Sequence, residues 1–228
     1  MSVFEPHWEA LPPAQRELWG QLGASADLGF VLYGGTAIAL RLGHRTSIDF
    51  DFFTERELDR KAIRNGFAFL REAKVVQDRP DSFGVLVATC ANPVKVSFFG
   101  KIDIGRCGVP DRTSDGVAEV ASLLDLLATK LKVLQQRIEA KDYRDVAAIL
   151  RANVSLEDGL AAASALYGSS FQPSEAARAL TFFQDGDLDE LNTEDRRILV
   201  TAAARLRSIP FAAPVSRSLS GQGFLPDV

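Results

Sequence analysis

Asp49 and Asp51 are separated by a single residue in the stretch Arg45-Thr46-Ser47-Ile48-Asp49-Phe50-Asp51-Phe52-Phe53. In an extended strand, side chains alternate between faces with a period of two. The two carboxylates therefore share one face, and Ile48, Phe50 and Phe52 are expected to turn the other way, into a core. Clustered carboxylate oxygens suit a hard divalent cation. Just upstream, Tyr33-Gly34-Gly35-Thr36 follows a short apolar run and precedes a helix-like one. Glycines let the backbone turn sharply and approach a ligand closely, and a helix N-terminus presents free N–H groups to a phosphate. A metal site beside a phosphate cradle points to nucleotide chemistry. Ser47 has the same parity as Asp49 and Asp51, so it faces the same cleft, and Arg45 is placed to steady a triphosphate. Each feature also has a plainer explanation: an ordinary strand-to-helix turn, a solvated strand face, a surface ion pair.

The elements that must position these residues divide the chain. The first half mixes short apolar runs with glycine and proline, and the second is rich in Ala and Leu. The pattern predicts an amphipathic helix over residues 8–22 and a buried strand over 29–33. A short helix over 36–42 should stop at Gly43, and a strand should follow over 47–53. Thr54 and Glu57 have the spacing of a capping box, so a helix is expected from there to about residue 72. Strands are expected over 83–88 and 94–99, joined by a turn at Ala91-Asn92-Pro93, with a further one over 101–106. Helices follow over 117–136, 141–152, 156–167, 174–183 and 193–208, and the tail from Pro210 is expected to lie across the surface or to be mobile. The fold class is α+β, with domains expected at 1–112 and 113–210 and a tail at 211–228.

In the second half, Leu123, Leu127, Leu131, Leu134 and Ile138 form one stripe at about 100° per residue, and Lys130 falls within it. A lysine there must snorkel or meet a negative partner, and its point charge suits a phosphate. On the next helix Asp142 lies on the apolar side, between Val146 and Ile149. It is either half of a structural ion pair or a contact for nucleotide and metal.

Bulk composition narrows the function classes. The 228 residues are 46% hydrophobic and carry a formal net charge of -4, with a pI near 5.3. That is enough apolar material for a sizeable core, and the acidity argues against a chain coated in nucleic acid. Two histidines and two cysteines, without metal-ligand spacing, make zinc and a disulfide framework poor fits. No apolar run approaches the roughly 20 residues of a membrane span. No signal peptide is expected at the N-terminus, so the expectation is a cytoplasmic protein without membrane partners.

Gly34-Gly35-Thr36, His44-Arg45, Ser47 and Asp49-Phe50-Asp51 resemble the signature of nucleotidyltransferases with the DNA-polymerase-β-type core. More narrowly they resemble the AbiEii/AbiGii toxin family of type IV toxin–antitoxin and abortive-infection systems. Lys130, Arg137 and Lys141-Asp142-Tyr143-Arg144-Asp145 resemble that family's later motif. The likeness spans residues 31–150, and no later motif is matched. It implies a small mixed sheet flanked by helices, followed by a C-terminal helical bundle. It implies Mg²⁺ (or Mn²⁺) held by Asp49 and Asp51, and an NTP bound by Gly34, Gly35, Thr36, Arg45, Ser47 and Lys130. Asp49, Asp51, Lys130 and Asp142 are the implied catalytic residues. The reaction would transfer a nucleotide to an acceptor hydroxyl, with the tRNA 3′ end as leading candidate, and a cognate antitoxin is implied.

One departure stands out. Polymerase-β-type enzymes place a third carboxylate on a neighbouring strand, and here that position falls at or near Ser97. Either Asp103 takes over, or the enzyme works with two carboxylates plus Asp142, or the chain binds nucleotide through a partner-directed role without transferring it. A small-molecule (antibiotic) nucleotidyltransferase on the same core is a further alternative.

Overall fold

The computed structural model describes residues 2–221. The chain forms two compact units: residues up to Ser122 together with those from Ser216 onward, and Leu123–Val215. The first unit therefore extends past the expected boundary at residue 112, and the tail from Ser216 belongs with it.

Among the described residues the first unit holds eight strands: β1 (Val3–Phe4), β2 (Val31–Tyr33), β3 (Asp49–Phe53), β4 (Lys74–Arg79), β5 (Ser82–Val87), β6 (Val94–Phe99), β7 (Asp111–Thr113) and β8 (Glu119–Val120). Its helices are α1 (Pro13–Trp19), α2 (Ala24–Asp27), α3 (Gly34–Leu42) and α4 (Arg60–Gly66). The strands form one mixed sheet in the order β1-β7-β8-β2-β3-β6-β5-β4. β3 lies near its middle, antiparallel to β2 and parallel to β6. Phe50 and Phe52 are fully buried. Their face of the sheet carries an aromatic cluster centred on Phe98, whose ring lies 5.2 Å from Phe30, 5.7 Å from Phe52 and 5.1 Å from Phe67. Burying aromatic area on this scale is what anchors β3.

Several expected elements shift, each for a visible reason. Ile48 is 62% exposed rather than in the core, because β3 begins only at Asp49 and the alternation does not extend back to it. No helix starts at Thr54: its N–H donates to the Phe99 carbonyl and its carbonyl accepts from Ile102, so its backbone continues the sheet. The cap is Asp59, whose carboxylate accepts from the Lys61 and Ala62 N–H groups. Residues 8–22 break into a 3₁₀ turn, α1 and a second 3₁₀ turn. Residues 101–106 form a turn rather than a strand, with one bridge from Arg106 to Ser216. Residues 117–122 join the sheet through β8, so the long helix begins only at Leu123.

The end of the described chain is tied to the sheet unit. Glu55 accepts hydrogen bonds from the Ser218 hydroxyl and the Leu219 N–H, and Glu119 from the Ser220 hydroxyl and the Gly221 N–H. Leu219 and Ser220 are buried rather than laid across the surface, and residues 222–228 of the tail fall outside the described residues.

The second unit comprises α5 (Leu123–Val133), α6 (Ala140–Arg151), α7 (Leu156–Tyr167), α8 (Pro173–Ala179) and α9 (Thr193–Arg205). α5 packs on α6 and α7, and α6 on α9. Ser155 caps α7 by accepting from the Asp158 N–H, and Asn192 caps α9 by accepting from the Asp195 N–H, each satisfying one otherwise orphaned donor.

Candidate active site

β2 ends at Tyr33 and the chain turns at once into α3. Gly34 makes that turn at φ +75°, a left-handed conformation that costs any other residue about 1–2 kcal/mol. A Cβ on Gly34 would lie 3.0 Å from Asp51 Oδ2, so the glycine also lets the turn close on the acid-bearing strand. α3 opens without a side-chain cap, which leaves its first N–H groups to other partners. The Arg45 guanidinium lies over Gly35, where a Cβ would collide with Nη2, and Nη1 donates to the Thr46 carbonyl at 2.9 Å. A cation thus sits at the positive end of a helix, which favours an anionic ligand.

Asp49 and Asp51 are both half-buried on β3, between the buried Phe50 and Phe52. The structure gives them the shared face that alternation predicts. The Thr36 hydroxyl is buried, donates to the Asp49 carbonyl and shares a 2.8 Å hydrogen bond with the Ser47 hydroxyl. Thr36 and Ser47 therefore sew the start of α3 to the start of β3 and fix where the carboxylates stand. Gly34, Gly35, Thr36, Arg45, Ser47, Asp49 and Asp51 all come together in the sheet unit.

The register also locates the position of the departure. Ser97 on β6 is directly opposite Asp51, and Lys95 directly opposite Asp49. Ser97 is 3% exposed and its hydroxyl has no hydrogen-bond partner among the described residues. Asp103 follows Ile102, whose N–H donates to the Thr54 carbonyl, past the end of β3 remote from Asp49. Among the described residues no group of three or more His, Cys, Asp or Glu converges. Two carboxylates still fit Mg²⁺, which commonly binds one or two carboxylates and takes its other ligands from water and substrate phosphates.

In the helical unit, Lys130 and Asp142 do meet. Lys130 Nζ lies 2.6 Å from Asp142 Oδ1 and 2.7 Å from Asp145 Oδ2, and Arg137 Nε donates to Asp142 Oδ2 at 2.8 Å. Asp142 and Asp145 are fully buried, Lys130 nearly so. Burial pushes the Asp142 carboxyl up, but hydrogen bonds from Arg137 and the charge of Lys130 outweigh it and hold the group below the usual carboxylate range. Two cations and two anions balance. An ammonium has three donors, so Lys130 keeps one beyond its two carboxylates.

Lys95 escapes a reading based on sequence alone, and Asp145 enters it only as a member of the later motif, without a role of its own. The available signals were the alternation of β6, which aligns Lys95 with Ser97, and the three-residue step from Asp142 to Asp145, which places both acids on one helix face.

A mixed sheet that presents an acid pair beside a glycine-turned helix mouth defines a nucleotidyltransferase-type core. Comparison with known proteins agrees. The model of the nucleotidyltransferase AbiEii toxin, type IV toxin–antitoxin system, matches residues 23–209, and the chain belongs to this family. An uncharacterized protein of Aquifex aeolicus (strain VF5) is 31% identical over 124 residues, covering 54% of this chain and 58% of that one. The chain thus matches under two thirds of that relative's length. Among solved structures, MenT4, a nucleotidyltransferase toxin from Mycobacterium tuberculosis H37Rv, is similar with a TM-score of 0.53 at 12% identity, over 88% of this chain and 94% of that one. At that identity the likeness is one of fold. Among the described residues no helix is long and apolar enough to cross a membrane.

Proposed function

We propose that this protein transfers a nucleotidyl group from an NTP to an acceptor hydroxyl, that the acceptor is the tRNA 3′ end, and that the modification makes it a growth-blocking toxin with a cognate antitoxin. The observation that carries the reading is the acid pair Asp49 and Asp51 on one strand face, with Asp51 within a Cβ's reach of the Gly34 turn. In the reaction the acceptor oxygen bonds to the α-phosphorus and releases its proton to solvent, the α–β anhydride bond breaks and pyrophosphate leaves. Mg²⁺ (or Mn²⁺) at Asp49 and Asp51 would supply Lewis-acid charge neutralisation at the phosphates. The uncapped N–H groups of α3 and the Arg45 guanidinium orient the phosphate chain. In the helical unit, Lys130 is committed to Asp142 and Asp145, so the phosphate contacts proposed here are those of the sheet unit.

Family membership supports the toxin role. Ser97 favours a second, narrower reading. A hydroxyl is no base at neutral pH, and losing a positioned base lowers a rate by about 10²–10⁴. The chain would then bind nucleotide and act through a protein partner with little transfer.

The test is incubation with Mg²⁺, each labelled NTP and total tRNA, beside an Asp49→Ala/Asp51→Ala variant. The proposal predicts label on tRNA that falls by at least about 10³ in the variant, since the charge stabilisation of the departing phosphates is lost. NTP-dependent thermal stabilisation without label supports the narrower reading. Label on an aminoglycoside but not on tRNA assigns a small-molecule acceptor.

A further inference from the structure

Two opposite charges stand across from one another on the acid-bearing face and do not pair. Lys95 is in register with Asp49, as Ser97 is with Asp51. In-register residues on adjacent strands share a face, with the strands about 4.8 Å apart. Charges so placed ordinarily close on each other. Among the described residues, however, neither the half-buried Lys95 ammonium nor the Asp49 carboxylate makes an ion pair or a hydrogen bond. Beside them the buried Ser97 hydroxyl is likewise unpartnered. On the far side of β6, Gly84 faces Ser97 and brings no side chain over it. A buried hydroxyl without a partner is costly, and a half-buried lysine beside it is a cation held in reserve. Both are donors, and both face the space in front of the acid pair.

We propose that Lys95 is a phosphate-binding cation of this site, aided by the Ser97 hydroxyl, and that its fixed charge takes the place of a second metal ion. The proposal rests on the nucleotidyl-transfer reading and names a residue for it. The charge count supports it. The formal charges of Asp49 and Asp51 are matched by those of Lys95 and Arg45, where a carboxylate at position 97 would leave one net negative charge. One divalent ion more than neutralises that face, and Lys95 opposes the entry of another. An anionic polyphosphate then completes the balance, with the lysine as a point-charge partner to its oxygens.

Two titrations without turnover test this on the full chain. One follows Mn²⁺ binding in the absence of nucleotide, and the other follows Mg²⁺-dependent binding of a non-hydrolysable NTP analogue. Wild type is expected to take up one Mn²⁺ per chain. Lys95→Gln should bind Mn²⁺ several-fold more tightly, because a repelling charge is gone, and the analogue about tenfold more weakly, the usual loss for a hydrogen bond to a charged group. Lys95→Arg should keep analogue binding near wild type. The opposed signs are the signature. Two Mn²⁺ ions per wild-type chain, or a Lys95→Gln variant whose two affinities stay unchanged or move together, would overturn the proposal. Wild-type protein that binds neither Mn²⁺ nor analogue would overturn the nucleotidyl-transfer reading along with it.

Discussion

The sheet unit and the helical unit each bring two aspartates and a lysine together, with opposite results. On α6, Asp142 and Asp145 are sealed from solvent, and each has a cationic partner within 2.8 Å. On β3 and β6, Asp49 is half-buried and Lys95 stands across from it without engaging it. Charges buried in a protein must be paired, and the helical cluster obeys that rule among its own members. Charges that remain accessible and uncommitted retain their interaction energy for a ligand. The difference teaches that the same residue types can serve stability in one unit and binding in the other, and that pairing and exposure separate the two roles.

The widest gap between the two regions should appear on removing each lysine. Lys130→Met leaves two buried carboxylates without their shared ammonium, and unfolding by denaturant should show a loss of about 3–5 kcal/mol. Lys95→Met, on a half-buried position without a partner, should stay within about 0.5 kcal/mol of wild type. Equal losses at both sites would erase the contrast.

A smaller effect is expected at the turn that joins the acid strand to the helix mouth. Gly34→Ala places a Cβ in a left-handed conformation and 3.0 Å from Asp51 Oδ2. Chemical denaturation should register a loss of about 1–2 kcal/mol, accompanied by weaker Mn²⁺ binding as the carboxylate is displaced. A stable variant with unchanged Mn²⁺ affinity would show that the turn and the acid pair are uncoupled.

The pH dependence sharpens the helical side of the comparison. The Asp142 carboxyl is depressed in the folded protein from its ordinary 3.8. A depressed acid contributes stability that is present above its unfolded value and is lost as pH falls through that value towards the folded one. The Tm advantage of wild type over Asp142→Asn should therefore be full at neutral pH and shrink below about pH 4. A gap that widens on acidification would contradict the assigned direction.

What the sequence reveals of this molecule follows from how local its causes are. The face shared by Asp49 and Asp51 is legible because Phe50 and Phe52 alternate with them and the core demands aromatic burial. Gly43 ends α3 in a left-handed conformation with its N–H donating to Ala39, a stop signal set by one residue. α7 spans the expected residues because its cap and period agree. Ile48 and Thr54 mislead because alternation and capping patterns do not record where a strand begins or ends. Thr54 carries a capping sequence, yet its backbone is committed to Phe99 and Ile102. β4 is hidden by its exposure: Val75 and Val76 are 42% and 45% exposed at the sheet edge, so no apolar face marks it. β1, β7 and β8 are two or three residues each, and pairings such as Val3 with Arg112 depend on contacts far apart in the chain. At the candidate site, residue types revealed the acid pair and the glycine turn. The position of Lys95 opposite Asp49 emerges only from the register of two strands distant in sequence.

The account depends most on the β3 carboxylates holding a divalent ion for a nucleotide. Calorimetric titration of NTP into wild type and into Asp49→Asn/Asp51→Asn, each with Mg²⁺ and with EDTA, tests this directly. Wild type should bind only with Mg²⁺, and the double variant should lose that metal-dependent binding by about 100-fold or more, the scale of two charge-assisted contacts. Equal Mg²⁺-dependent affinity in both proteins would contradict it.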